Sequence, residues 1–254
     1  MNPLVALVTG GSRGIGRAIC VAFGAQGHAV VAAGRGANAL TETARLVREA
    51  GGADPSYVTC DMRDASAIEE MVRTVIARHG RIDILVNNAG GGTSTRPMTS
   101  DETPDADWLD TIDLNLTSVF RTCKAVTPQM KSRRSGVIVT VASIASRQPS
   151  NLSGIAYTAA KSGLAGLNRH LAKELGPFGI RVNAVAPGII GSERVQAKFD
   201  TYTEAERTAI NARIPLGRIG TMEEVASVVA FLASPAASYV HGALIDINGG
   251  MFMA

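Results

Sequence analysis

The sequence contains little cysteine and histidine, and this shortage argues against disulfide scaffolds and zinc sites. The three cysteines, Cys20, Cys60 and Cys123, are widely spaced and odd in number, so we predict buried thiols in a reducing compartment. The four histidines show none of the spacings of a metal-binding motif, so no metal is expected.

The sequence also lacks a strong charge excess and long apolar runs. The net charge is +3, and the only basic cluster (Lys131, Arg133, Arg134) is short, so no nucleic-acid partner is expected. No apolar run reaches the roughly 18 residues that a membrane-spanning helix needs. The first apolar strand begins by Leu4, which leaves no room for a signal peptide. We therefore expect a cytoplasmic protein without a membrane partner.

Hydrophobic residues are abundant, and their arrangement predicts an α/β fold. They make up 46% of the chain against 19% charged residues, which is typical of a packed core. Strands are predicted at 4–8, 29–33, 56–59, 84–86, 136–142, 181–185 and 243–247. Helices are predicted at 15–26, 40–50, 65–79, within 105–129, and at 157–175 and 223–233, with a short helical piece at 204–212. The strands are apolar throughout, which predicts a doubly wound, parallel, seven-stranded sheet with helices on both faces. No linker interrupts the pattern, so residues 1–254 are expected to form one domain.

A glycine-rich turn follows the first predicted strand. Gly10, Gly14 and Gly16 stand in the order G-x3-G-x-G, directly before the first helix. Glycines at such a turn let backbone amides approach a phosphate at the positive end of the helix. A tight turn without a ligand is the alternative, but the position in a doubly wound pattern favours the dinucleotide site of a Rossmann fold.

The end of the second strand predicts which dinucleotide binds. An acidic residue is usual there in NAD-dependent proteins, where it bonds the ribose hydroxyls. This chain instead has Gly34 followed by Arg35, and Arg13 stands inside the glycine loop. Guanidinium groups match phosphate oxygens well, so we predict that both arginines hold the 2′-phosphate of NADP(H), in preference to NAD(H). The alternative is that Arg35 is an ordinary solvated residue.

Tyr157 and Lys161 lie four residues apart, fourteen residues after Ser143. On a helix this spacing puts the phenol and the ammonium on one face. A nearby positive charge favours the phenolate and so lowers the pKa of a tyrosine from about 10, which suits a general acid and base. An incidental pair is the alternative, with a chance of about one in twelve from composition alone.

The motifs together resemble the short-chain dehydrogenase/reductase family over almost the whole chain. Its members share the glycine loop, the serine and Tyr-x3-Lys. The other matching positions are Asp61, Asn87-Asn88-Ala89-Gly90, Asn115, Pro187-Gly188, Gly217-Arg218-Ile219-Gly220, Glu223-Glu224-Val225-Ala226 and Asn248-Gly249-Gly250. This resemblance implies an enzyme that interconverts a carbonyl and a secondary alcohol.

The resemblance also implies roles for individual residues. Tyr157 would transfer the proton, Ser143 would polarise the carbonyl oxygen, and Lys161 would lower the pKa of the phenol and bond the nicotinamide ribose. Asn115 would hold a water that links Lys161 to solvent. The cofactor would be bound by Gly10, Ser12, Arg13, Gly14, Ile15, Gly16, Arg35, Asp61, Met62, Asn88, Ala89, Gly90, Tyr157, Lys161, Pro187, Gly188, Ile190 and Ser192.

Two departures from the family pattern concern the substrate pocket. The interval between Ser143 and Tyr157 is one residue longer than is common, so the polar loop 144–156 carries an extra residue. Ser192 stands where the family often has threonine, which keeps the hydroxyl but loses the methyl group. We expect the chemistry to be kept and the pocket to differ.

The substrate is predicted less sharply. The sequence looks most like the 3-oxoacyl-acyl-carrier-protein reductases, in which exposed cations meet an acidic carrier, and Arg133 or Arg134 could serve here. Phe178 replaces a residue that is commonly basic in that subgroup. The alternative substrate is a small free ketone, sugar or secondary-metabolite carbonyl, with Phe199 and Tyr202 as an apolar lid.

Two further expectations concern the protein as a whole. A binding protein that has lost catalysis is a third possibility, which the intact catalytic residues disfavour. The helices within 105–129 and 157–175 carry apolar residues on more than one face, and the resemblance implies that they pair into a homotetramer. The apolar segment 249–254 is expected to be docked, and a neighbouring subunit is one candidate for its contact.

Overall fold

One parallel sheet forms the centre of the molecule. The computed structural model describes residues 3–91, 99–149 and 154–254. Its strands are β1 (Val5–Thr9), β2 (Ala29–Gly34), β3 (Ser56–Thr59), β4 (Ile84–Asn87), β5 (Gly136–Val141), β6 (Ile180–Pro187) and β7 (Leu244–Ile247). Within the described residues these seven strands are ordered β3-β2-β1-β4-β5-β6-β7, and every pair is parallel. The strand order reverses between β1 and β4, and ligands bind at such a point beyond the carboxyl ends of the strands.

Helices cover both faces of this sheet, which confirms the predicted fold. They are α1 (Gly14–Ala25), α2 (Ala37–Glu49), α3 (Ala65–His79), α4 (Asp105–Ile112), α5 (Ser118–Arg133), α6 (Ile155–Leu175), α7 (Glu193–Phe199), α8 (Glu204–Asn211) and α9 (Met222–Ala233). Alternate residues of β1 explain the two layers: Leu7 packs with α3, α5 and α6, and Val8 packs with α1, α2 and α9. Both strand faces are therefore apolar.

Local signals in the sequence set the ends of several helices. Asp64 accepts hydrogen bonds from two amides in the first turn of α3, and Gly80 ends that helix at a φ of 75°. Thr221 and Glu224 form a capping box that starts α9. None of the described helices is long and apolar enough to cross a membrane.

The predicted helix within 105–129 is in fact interrupted and longer. Between α4 and α5 the backbone forms a π-helix over Asp113–Thr117, and α5 continues to Arg133. Such wide turns inside α-helices are frequent at functional sites. Asn115 lies in this turn.

The long segment 188–215 also differs from the prediction. The expected short helix is present as α8, but α7 precedes it and was not predicted. Ser192 caps α7, and the helix has only seven residues, too few to show a clear helical period.

Candidate active site

The glycine loop after β1 depends on residues without a side chain. Gly10 and Gly14 have φ values of 67° and 56°, which other residues adopt only with strain. A Cβ on Gly16 would lie 2.2 Å from the carbonyl oxygen of Gly10. Because only hydrogen fits there, the loop closes directly onto the start of α1.

The turn after β4 holds this loop in place. The side-chain amide of Asn88 donates to the carbonyl oxygens of Thr9 (3.0 Å) and Gly10 (3.2 Å). The Thr9 hydroxyl oxygen accepts from the amides of Asn88 (3.0 Å) and Ala89 (3.1 Å). Asn88 and Ala89 also line the neighbouring cavity, so the turn both fixes the loop and forms part of the site.

The two arginines proposed to hold a phosphate lie at the same end of the cavity. Arg13 and Arg35 are exposed and line the cavity wall. Within the described residues neither side chain takes part in an ion pair or hydrogen bond, so both guanidinium groups are available to an anion.

Asp61 and Met62, which follow β3, line the cavity near these arginines. The Asp61 carboxylate accepts a hydrogen bond of 3.0 Å from the Arg63 amide, and Met62 is buried. These contacts fix the turn, and they leave the second oxygen of Asp61 for a ligand.

The segment after β6 lines the other side of the cavity with Pro187, Gly188, Ile190 and Ser192. The Ser192 hydroxyl oxygen accepts a hydrogen bond of 3.5 Å from the Val195 amide. Ser192, which is predicted to bind the cofactor, is thus the N-cap of α7, because its hydroxyl faces the first turn of that helix.

Lys161 is buried beneath Tyr157 on α6. Its Nζ donates a 3.0 Å hydrogen bond to the carbonyl oxygen of Val141, at the end of β5, and lies 5.6 Å from the centre of the Tyr157 ring. Only 4% of Lys161 is exposed, and this burial lowers its pKa to about 8. Tyr157 is half-buried and faces the cavity. The sequence spacing therefore does bring the two groups onto one face.

Ser143 follows β5 and faces the same cavity. It is the N-cap of a short 3-10 helix (Ile144–Ser146), and its hydroxyl oxygen accepts a 3.1 Å hydrogen bond from the Ala145 amide. That bond leaves the hydroxyl proton free to point towards a substrate oxygen.

Asn115 lies behind the cavity wall instead of lining it. Its side chain exchanges two 2.9 Å hydrogen bonds with the backbone of Gly91 and donates a third, also 2.9 Å, to the carbonyl oxygen of Thr111. A Cβ on Gly90 would lie 2.7 Å from Asn115 Oδ1 and 3.3 Å from Lys161 Nζ. Asn115 thus approaches Lys161 with only Gly90 between them.

The cavity has a volume of about 890 Å³, and it joins the glycine loop to Ser143 and Tyr157. Of the predicted site residues, only Asn115 does not line it. The predicted lid residues Phe199 and Tyr202 also line it, with ring centres 5.8 Å apart. Lining residues that the sequence did not indicate include Cys60, Thr103, Asp107, Thr111, Leu114, Glu193, Val195, Lys198, Ile210, Arg213 and Met251. They come from loops and short helices that carry no recognisable motif.

Among the polar residues of the loop 144–156, Arg147 is held by contacts of its own and does not line the cavity. Arg147 forms a 3.1 Å ion pair with Asp246 of β7, donates to the carbonyl oxygen of Leu244, and lies against the Phe252 ring. Gln148 does line the cavity, whereas Asn151 and Ser153 lie outside the described residues. The same contacts dock Phe252, near the end of the chain, on its own subunit.

The basic cluster predicted to meet an acidic carrier is placed elsewhere. Arg133 pairs with Asp83, and Arg134 donates to the carbonyl oxygen of Pro177. Both arginines precede β5, whereas Ser143 follows it, so within one chain they lie at the opposite edge of the sheet from the site. Lys131 pairs with Glu174 at 2.7 Å and lies 5.1 Å from the ring centre of Phe178.

The cysteines are buried and unreactive in character. Burial raises the thiol pKa of Cys20 and Cys123 to about 12 and that of Cys60 to about 11. In the described parts of the chain, no group of three or more His, Cys, Asp or Glu side chains could hold a metal ion.

The residues present fit a dinucleotide. The Gly14 amide, at the first position of α1, faces the cavity and donates to a carboxylate oxygen of Glu193 at 3.4 Å, so it accepts an anionic partner. Together with the glycine cradle and the two unpaired arginines, it forms an anion-binding end. Ser143, Tyr157 and Lys161 form a proton-transferring end.

Comparison with known proteins agrees with this geometry. A family model described as Enoyl-(Acyl carrier protein) reductase matches residues 10–252. The 3-oxoacyl-acyl-carrier-protein reductase FabG of Salmonella typhimurium is 41% identical over 249 residues, which cover 98% of this chain and 97% of that protein. The chain belongs to the short-chain dehydrogenase/reductase family.

Solved structures support the same assignment to the short-chain dehydrogenase/reductases. The actinorhodin polyketide ketoreductase with NADPH has a TM-score of 0.91 and 36% identity, covering 98% of this chain and 97% of that one. Levodione reductase has a TM-score of 0.91 and 31% identity, covering 97% and 96%. The protein is therefore an oxidoreductase of carbonyl and alcohol groups with a nicotinamide cofactor, and the prediction of an enzyme is confirmed.

Proposed function

We propose that this protein reduces the 3-oxo group of an acyl thioester to a secondary alcohol with NADPH. One observation carries the proposal: a single cavity joins a glycine cradle, flanked by two unpaired arginines, to Ser143, Tyr157 and Lys161. The names of the relatives, which are 3-oxoacyl and polyketide ketoreductases, support this substrate class.

The proton-transferring residues would act on the carbonyl oxygen. When bound, the nicotinamide cofactor supplies the hydride. Ser143 would donate a hydrogen bond to the oxygen and stabilise the negative charge that develops there. Tyr157 would deliver the proton, and the Lys161 ammonium, 5.6 Å from the phenol ring, would favour the phenolate that remains. Asn115 would act as a positioning residue, because it fixes the backbone beside Lys161.

The catalytic part of this proposal is tested with a substrate panel. The panel contains a 3-oxoacyl thioester, free ketones and an enoyl thioester, because the matching family model is named after enoyl reductases. Tyr157→Phe should lower kcat for the oxo substrates by about 100-fold or more while NADPH still binds, since only the proton donor is lost. Equal activity of the variant and the wild type, or turnover of the enoyl thioester alone, would refute the proposed chemistry.

We infer a preference for NADP(H) from Arg13 and Arg35. Their guanidinium groups would make charge-assisted hydrogen bonds to the 2′-phosphate. Arg35→Asp should weaken NADPH binding by about tenfold or more and should spare NADH. The control is Arg48→Asp, which reverses the charge of an exposed arginine of α2 that does not line the cavity. An unchanged ratio of NADPH to NADH affinity in Arg35→Asp would show that Arg35 does not bind the 2′-phosphate.

A small free ketone is the second candidate substrate. Phe178, which stands in place of a basic residue, and the pairing of Arg133 with Asp83 favour it, because each reduces the positive charge that could meet an acidic carrier. A higher kcat/KM for a small free ketone than for the carrier-bound 3-oxoacyl thioester would support this alternative. A strong preference for the carrier-bound form would favour the first candidate.

The assembly and location follow as the last part of the proposal. The protein would form a homotetramer through α4, α5 and α6 and would work in the cytoplasm. Exposed apolar side chains on α4 and α5 support the first statement, and three buried free thiols fit the second.

A further inference from the structure

Glu193 places a negative charge at the glycine cradle. It is the first residue of α7, yet its Oε1 accepts a 3.4 Å hydrogen bond from the amide of Gly14, 179 residues away in sequence. Its other carboxylate oxygen lies 3.5 Å from the position that a Cβ on Gly14 would take. The carboxylate thus rests against the bare backbone of the loop.

The surroundings of α1 explain why a carboxylate is attracted there. The first turn of α1 contains no acidic residue, and its N-cap, Arg13, makes no side-chain capping bond. The free amides at the start of a helix carry partial positive charge and favour an anion. Glu193 supplies that anion from a distant part of the chain.

The same amides form the phosphate-binding part of a glycine loop in this type of fold. We propose that the Glu193 carboxylate and the diphosphate of the cofactor compete for the amide of Gly14, which makes Glu193 a determinant of cofactor affinity. This inference rests on the proposed nicotinamide dinucleotide site. Two anionic groups repel each other and cannot share one amide, so cofactor binding requires Glu193 to leave.

The displacement has a consequence for the substrate side. Glu193 begins α7, and Val195, Lys198 and Phe199 of the same helix line the cavity. Release of Glu193 frees the amino end of α7 from the glycine loop. The position of the cofactor diphosphate and the cavity wall formed by α7 are thereby coupled through this short helix.

The test compares Glu193→Gln with the wild type by NADPH fluorescence titration. Glutamine keeps the shape but removes the charge, so NADPH should bind about fivefold more tightly, which corresponds to about 1 kcal/mol. The gain should shrink at about 0.5 M NaCl, because salt screens the repulsion. Glu204→Gln is the matched control: it neutralises an exposed first-turn glutamate of α8 that does not line the cavity, and its affinity should equal that of the wild type.

Adenosine 2′-monophosphate distinguishes competition at the diphosphate from a general charge effect. It carries the 2′-phosphate but no diphosphate. Its own dissociation constant, measured by competition with NADPH, should therefore be the same for wild type and Glu193→Gln. Unchanged or weaker NADPH binding by Glu193→Gln, or an equal gain for adenosine 2′-monophosphate, would overturn the inference. If folded wild type fails to bind either nicotinamide cofactor, the proposed function fails with it, which is a different result.

Discussion

Lys161 carries its amino group in a buried position, and the free-energy cost of this burial depends on pH in a direction that can be measured. Its pKa falls from 10.5 to about 8 because the charged form is poorly solvated. Its hydrogen bond to the Val141 carbonyl offsets part of this cost. The proximity of the ammonium to Tyr157 is what makes the burial useful to a proton donor.

The first prediction concerns stability against pH. Between pH 8 and 10.5 the unfolded chain holds a proton on Lys161 that the folded chain has lost, so stability from this group rises with pH. Relative to Lys161→Met, the unfolding free energy of the wild type should increase by about 3 kcal/mol across that window. Urea unfolding at a series of pH values measures it, with Lys173→Met, an exposed lysine of the same helix, as the control. Parallel curves for wild type and Lys161→Met would contradict the prediction.

At the scale of elements, the π-helix between α4 and α5 is the feature with most bearing on the site. It places Asn115 so that its side chain holds the backbone of Gly91, the residue after the Asn88–Ala89–Gly90 turn. A regular α-helix from 105 to 133 would rotate this side chain relative to the turn. The π-helix therefore orients the Asn115 side chain towards the cavity wall behind Lys161.

The second prediction separates this orienting role of Asn115 from a contribution to stability alone. Asn115→Ala should lower stability by about 2 kcal/mol, because buried backbone groups lose their partners, and should also lower kcat. Asn168→Ala is the matched control: it removes an equally buried asparagine of α6, which donates to the carbonyl oxygens of Gly242 and Ala243. It should destabilise the protein by a similar amount with kcat unchanged. A kcat loss of the same size in both variants would assign Asn115 a structural role only.

At the scale of the whole molecule, large apolar side chains remain exposed on α4 and α5. Trp108 is 37% exposed, Leu109 63% and Phe120 51%, and they lie on consecutive helices. Contiguous exposed apolar patches mark interaction surfaces, so these side chains make α4 and α5 the candidates for one. A symmetric assembly of identical chains would cover them.

The third prediction tests that assembly. Light scattering should give the mass of four chains, and Phe120→Glu should give a smaller species, because a charge would be buried in the interface. Trp108 is the only tryptophan, so its emission should shift to longer wavelength when the interface is lost. A wild-type monomer, or an unchanged mass for Phe120→Glu with an unshifted spectrum, would speak against this surface.

The sequence by itself determined the fold and most of the site. Apolar strands alternating with amphipathic helices are local patterns, and they predicted the sheet and nearly all its helices. Glycines at a strand end, and a tyrosine four residues before a lysine, are likewise short-range patterns. These patterns predict where the site lies because the carboxyl ends of parallel strands meet at one edge of the sheet.

Only the tertiary structure decided the contacts between distant segments. The pairing of Glu193 with Gly14 and of Arg147 with Asp246 joins residues 179 and 99 positions apart. The tertiary structure also pairs Arg133 with Asp83. The π-helix at Asn115 and the cavity wall formed by α7 were likewise decided only by the tertiary structure. Such contacts depend on the path of loops and on three-dimensional packing, and no local pattern of residues encodes that path.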